Sequence, residues 1–142
     1  MRALLDVNML LALFDSGHSF HAKTRGWWQA NEHHGWASCP LSQNGFLRIT
    51  SQGSYPRALR LADAMQILGR WAVAPRHEFW ADDLTLLDEQ AFDRARLLTS
   101  KQITDVYLLA LAVKNGGRLV TLDRGIPLAA AKGARPQHLV VV

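Results

Sequence analysis

At 142 residues, with 49% hydrophobic and 20% charged residues, the chain has the makeup of one globular domain rather than a disordered tail. One cysteine, Cys39, rules out an intrachain disulfide framework and a cysteine-based zinc site, which fits a reducing cytoplasm. The net charge of +4, from 16 Lys+Arg against 12 Asp+Glu, permits phosphate binding without requiring it. Asp6 interrupts the first apolar run before it could form a signal-peptide core. No run approaches the roughly 20 apolar residues that span a bilayer. The expectation is a cytoplasmic single domain covering residues 1–142.

In chain order, residues 3–7 read as a short buried strand, and Met9-Leu10-Leu11-Ala12-Leu13-Phe14 as a helix capped by Asn8. Asp15-Ser16-Gly17 ends that helix with turn chemistry, and 21–30 reads as a second helix. A strand is predicted over 36–39, closed by Pro40, and a helix over 41–49 that Gly45 weakens. Residues 50–56 read as a polar loop, and 57–71 as a helix from its near-3.6 apolar period. Phe79-Trp80 suggests a short strand, and 89–98 a short helix. The strongest helix pattern covers 103–115 and stops at Asn115-Gly116-Gly117. Residues 118–122 and 139–142 read as buried strands. Strands alternating with helices predict an α/β domain, with a mostly parallel sheet covered on both faces.

Three aspartates stand where apolar runs give way to helix or loop. Asp6 follows Ala3-Leu4-Leu5, Asp123 follows Leu119-Val120-Thr121-Leu122, and Asp105 opens the 103–115 helix. Each has a plain structural role available: a helix cap, a first-turn acid worth about 0.3–1 kcal/mol, a turn residue. All three at the carboxyl edge of one parallel sheet is a different matter, because ligand crevices form there. Two like charges about 4 Å apart cost roughly 4 kcal/mol at an effective dielectric near 20. Clustered carboxylates therefore hold a proton or recruit a cation, and hard oxygen donors select Mg²⁺ or Mn²⁺ over zinc.

Four segments occur in the order and spacing of PIN-domain ribonucleases. They are Leu4-Leu5-Asp6-Val7-Asn8-Met9-Leu10-Leu11, the run Cys39 to Ile49, Ile103-Thr104-Asp105-Val106-Tyr107-Leu108, and Leu119-Val120-Thr121-Leu122-Asp123-Arg124. Over essentially its whole length the chain resembles VapC-type toxins of bacterial type II toxin–antitoxin pairs. The resemblance implies a three-layer α/β/α domain, a Mg²⁺-dependent endoribonuclease site, a homodimer, and inhibition by a cognate antitoxin. It further implies that Asp6, Asp105 and Asp123 bind the metal, with Asn8 and Thr121 hydrogen-bonding the carboxylates or the water around the ion. Where such proteins usually carry a glutamate, this chain has Gln43, which keeps a carbonyl oxygen but loses the charge. On that reading Gln43 completes a catalytic set with the three aspartates, and Gln43→Glu tightens Mg²⁺ binding. The alternative it raises is a degenerate PIN domain that binds RNA or antitoxin with little cleavage.

His18, His21, His33 and His34 lie around loops and helix ends, so capping or solvent-facing roles outweigh a zinc site. Trp27, Trp28, Trp36, Trp71 and Trp80 offer faces for RNA bases, though packing is the expected role for most. Arg48, Arg76 and Arg124 are candidates for phosphate contacts, and Arg124, next to Asp123, is the best placed of them. Asp82-Asp83 reads as an exposed loop. A haloacid-dehalogenase-type phosphatase would want an aspartate where Asn8 stands, and a receiver domain would want paired acids after the first strand.

Overall fold

The computed structural model describes all 142 residues. Five strands, β1 (Ala3–Leu5), β2 (Trp36–Ser38), β3 (His77–Phe79), β4 (Arg118–Thr121) and β5 (Leu139–Val141), form one sheet in the order β3-β2-β1-β4-β5. Every neighbouring pair is parallel. The helices are α1 (Val7–Phe14), α2 (His21–Asn31), α3 (Pro40–Thr50), α4 (Leu61–Ala72) and α5 (Ile103–Lys114). No helix is long and apolar enough to cross a membrane.

Alternation along the central strands sorts the core into two layers. Ala3, Leu5, Trp36 and Val120 pack with Met9, Leu10, Leu13, Phe46 and Leu68 on the face covered by α1, α3 and α4. Leu4, Ala37 and Leu119 pack with Val106, Leu108, Leu109 and Leu111 of α5 on the other. β1 and its neighbours are buried at every residue but Arg118, as strands covered on both faces must be. The predicted three-layer α/β/α architecture is what the chain adopts.

Three local expectations change. The first strand ends at Leu5, and Asp6 rather than Asn8 caps α1, because its Oδ1 accepts from Met9 N at 2.7 Å. The fourth helix starts at Leu61, not 57, since Arg57 is drawn back to pair with Asp15. The helix expected over 89–98 is only a 3-10 turn, Arg94–Arg96, where Asp93 caps Ala95 N. The tryptophans behave as packing residues: Trp36 and Trp80 are buried, and Trp28, Trp36 and Trp71 meet one another at 5.5–6.1 Å.

Candidate functional site

β1 and β4 are hydrogen-bonded neighbours, so Asp6 and Asp123 leave the sheet at the same edge. The Asp6 N–H donates to the Val120 carbonyl at 3.2 Å, which fixes the first acid against β4. Asp105 comes to the same edge in the first turn of α5. The structure therefore brings the three predicted aspartates into one electrostatic neighbourhood.

Asp6 is only 3% exposed, and its carboxyl is raised from 3.8 to about 6. Burial is the main cause. The Thr121 hydroxyl and the Met9 N–H pull it back, and the charges of Asp105 and Asp123 push it up again. Half-buried Asp105 is raised too, by burial first and then by Asp123. Asp123 is exposed and held in its own turn, with Oδ1 accepting from Gly125 N at 2.6 Å. Thr121, fully buried, accepts the Asp123 N–H at 2.9 Å and so links the last acid to the first.

Asp6 and Asp105 face a cleft of about 200 Å³ between the ends of three helices. Exposed Asn8 lines it beside Asp6, Thr104 beside Asp105, and Gly45 with Arg48 forms the α3 wall. A wider groove of about 500 Å³ continues from it, sharing Val7, Gly45, Arg48 and Thr104. Sequence reasoning passed over Thr104 and took Gly45 as a weak point. The structure shows why glycine stands there: a Cβ at residue 45 would collide with a methyl of Val7. The signal was a glycine inside an otherwise helical run.

Gln43 does not line this cleft. At 100° per residue it lies about 160° round α3 from Gly45 and about 140° from Arg48. Its Nε2 donates to Ser38 Oγ at 2.9 Å, and Ser38 Oγ is 2.8 Å from His77 Nε2. The structure thus groups three of the four proposed catalytic residues and ties the fourth to the β2–β3 side. Arg48 and Arg124 are exposed, and none of the six ion pairs in the molecule involves either.

As the side chains stand, no three His, Cys, Asp or Glu residues form a metal cage. The donor chemistry nevertheless fits a hard divalent cation. Asp6 is a buried carboxylate whose ionised form is opposed by burial and by two neighbouring acids, the situation a bound cation relieves. The other candidates have ordinary partners. His21 Nδ1 lies 2.7 Å from the Ala12 carbonyl, His18 accepts from Phe20 N, and Cys39 is a buried thiol pushed up to about 11. Asp82 is exposed as expected, and it accepts from Leu41 N at the start of α3.

A parallel five-stranded sheet that gathers three aspartates at one edge defines a class, and comparison with known proteins gives the same class. The PIN domain model matches residues 3–132, and the chain belongs to the PIN-domain family. Among curated relatives it is 49% identical over 142 residues, all of both chains, to Ribonuclease VapC44 of Mycobacterium tuberculosis. Ribonuclease VapC38 of the same species is 41% identical, with 99% of each chain covered. Two solved structures share the fold at low identity. VapBC2 of Rickettsia felis, bound to a DNA fragment from its promoter, gives a TM-score of 0.59 at 12% identity, over 87% of this chain and 89% of that one. VapC20 of M. tuberculosis, a toxin that cleaves the sarcin–ricin loop, gives 0.58 at 15%, over 94% and 99%.

Proposed function

We propose that this protein is the ribonuclease toxin of a toxin–antitoxin pair, hydrolysing RNA phosphodiester bonds at the Asp6–Asp105–Asp123 edge with a divalent ion, Mg²⁺ or Mn²⁺. The observation that carries this is Asp6, a carboxylate buried at a sheet edge with two further acids bearing on it and no ion-pair partner. Family membership and two curated ribonuclease relatives matched over nearly their whole length support the same reading.

Asp6, Asp105 and Asp123 would hold the ion, with Thr121 orienting the Asp6 carboxylate and Asn8 offering its amide at the mouth. A divalent ion held by these residues would supply the means to acidify a water and to offset charge on the phosphate. The chain itself keeps Asp6 against β4 and shields it from bulk water, while Arg48, exposed at the cleft, and Arg124, exposed next to Asp123 in the chain, would meet RNA phosphates. In the cell we place it in the cytoplasm as a homodimer, inactivated by a cognate antitoxin.

A direct test incubates the purified protein with structured RNA in EDTA, Mg²⁺ or Mn²⁺. Metal-dependent cleavage that disappears in Asp105→Ala is the expected result. Cleavage that survives both Asp6→Ala and Asp105→Ala would refute this site. The non-cleaving reading predicts RNA binding without metal-dependent products.

A further inference from the structure

The α3 wall of the cleft carries no acid. Its three residues there are Gly45, Arg48 and Ile49. A Cβ at position 45 would collide with a methyl of Val7, and the glycine there leaves no carboxylate at that point of the helix. Gln43, two residues before Gly45 and so on the opposite side of α3, donates to Ser38 Oγ instead. What α3 does supply is the guanidinium of Arg48, exposed, at the junction of the acidic cleft and the wider groove.

Six of the other lysines and arginines are paired with acids, while Arg48, like Arg124, is in no ion pair. Arg2 pairs with Glu78, Arg57 with Asp15, Arg60 with Asp63, Arg94 with Glu89, Arg96 with Asp93 and Lys114 with Asp83. Arg48 lines the same cleft as Asp6 and Asp105 and makes neither an ion pair nor a side-chain hydrogen bond with them. Its five N–H donors remain available to a ligand. The walls thus divide by sign: acids from the β1 end and α5, a fixed positive charge from α3.

We infer that this site holds one divalent ion, and that Arg48 occupies, as a permanent cation, the side from which a second ion would be held. The inference rests on the nuclease reading and deepens it. A fixed guanidinium repels a further cation and attracts an anionic oxygen, so it engages a phosphate of the RNA next to the one held at the acids. The continuous groove gives the strand a path past that point, lined by Leu41, Asn44, Leu47 and Leu61.

The experiment compares wild type with Arg48→Glu, Arg48→Gln and Arg48→Lys, changes at an exposed helix position. Titration with MgCl₂ by calorimetry should give one ion per chain for wild type. Arg48→Glu should add a second ion or tighten the first at least about fivefold. Anisotropy with a fluorescein-labelled single-stranded RNA decamer in EDTA reads the phosphate contact without cleavage. Arg48→Gln should weaken that binding about three- to tenfold and lower the salt slope by about 0.7, while Arg48→Lys keeps the slope. Two Mg²⁺ ions bound by wild type, or an Arg48→Glu isotherm that overlays it, overturns the inference while leaving a metal-dependent nuclease intact. A wild-type protein that neither binds Mg²⁺ nor cleaves RNA overturns the nuclease reading itself.

Discussion

Helix α1 carries an aspartate at each end, and the two are treated oppositely. At the C-terminal end, Asp15 meets the Arg57 guanidinium, the Tyr55 hydroxyl at 2.5 Å and Gly17 N at 2.9 Å. The Arg57 contact is the main reason its carboxyl lies well below the usual range. At the N-terminal end, Asp6 receives Met9 N and the Thr121 hydroxyl but no cation, and it rises to about 6. One helix thus has a satisfied acid that fastens a loop and an unsatisfied acid that faces a cleft. The lesson is that function resides where charge is left uncompensated, at a cost to stability.

The largest effect that can break this contrast is on Asp6. Asn keeps the oxygen that caps Met9 and removes the charge, so Asp6→Asn should lower RNA cleavage by at least about 100-fold. The same change should stabilise the metal-free protein. A folded pKa above the unfolded one means the folded state binds the proton better, so stability falls as pH rises from 3.8 toward about 6. At neutral pH the penalty is of order 3 kcal/mol. Urea melts from pH 4 to 8 should show that decline in wild type without metal, a flatter curve in Asp6→Asn, and recovery of wild type on adding Mg²⁺. A wild-type curve that is flat across this window places Asp6 outside the metal site.

A smaller effect tests how the unsatisfied acid is held in place. Thr121→Val preserves shape but removes the hydroxyl that lowers the Asp6 carboxyl and accepts the Asp123 N–H. Mg²⁺ affinity should fall about tenfold, with the Asp6 titration moving further up by carbon-detected NMR. Unchanged affinity would make Thr121 a packing residue only.

Much of this was legible before the structure, for reasons that particular residues make clear. The strand read over 118–122 and the helix read over 103–115 rest on a continuous apolar run and a long apolar period, and Asp6, Asp105 and Asp123 stand at the ends of such signals. Arg57 was misread because the Leu59–Leu68 period extends smoothly backward, and only the long-range pairing with Asp15 stops the helix at Leu61. The 89–98 segment failed for a similar reason, since Asp93 and Asp88 bond their own backbone neighbours and hold it in turns. Gln43 shows a subtler limit. Its role came only from the resemblance to PIN-domain ribonucleases, whereas the side of α3 it faces depends on Gly45 packing on Val7 and on Ser38 accepting its amide.

The mildest prediction concerns the satisfied acid. Asp15→Asn loses the Arg57 ion pair and weakens the Tyr55 hydrogen bond, both of which tie the 51–59 segment to the end of α1. Arg57 is about half exposed, so solvent screens the pair and the loss should be only about 1–2 kcal/mol. Because the Asp15 carboxyl is depressed, its contribution is complete above the unfolded pKa of 3.8 and disappears only in stronger acid. That window lies below the one Asp6 occupies, so the two ends of α1 separate on one pH axis. Asp15→Asn should therefore melt earlier at pH 7 yet cleave RNA within about threefold of wild type, since the Asp15 cluster lines a different cavity from Asp6. A loss of cleavage as deep as that of Asp6→Asn would mean that α1 couples its two ends, and the separation into a fastening acid and a working acid would fail.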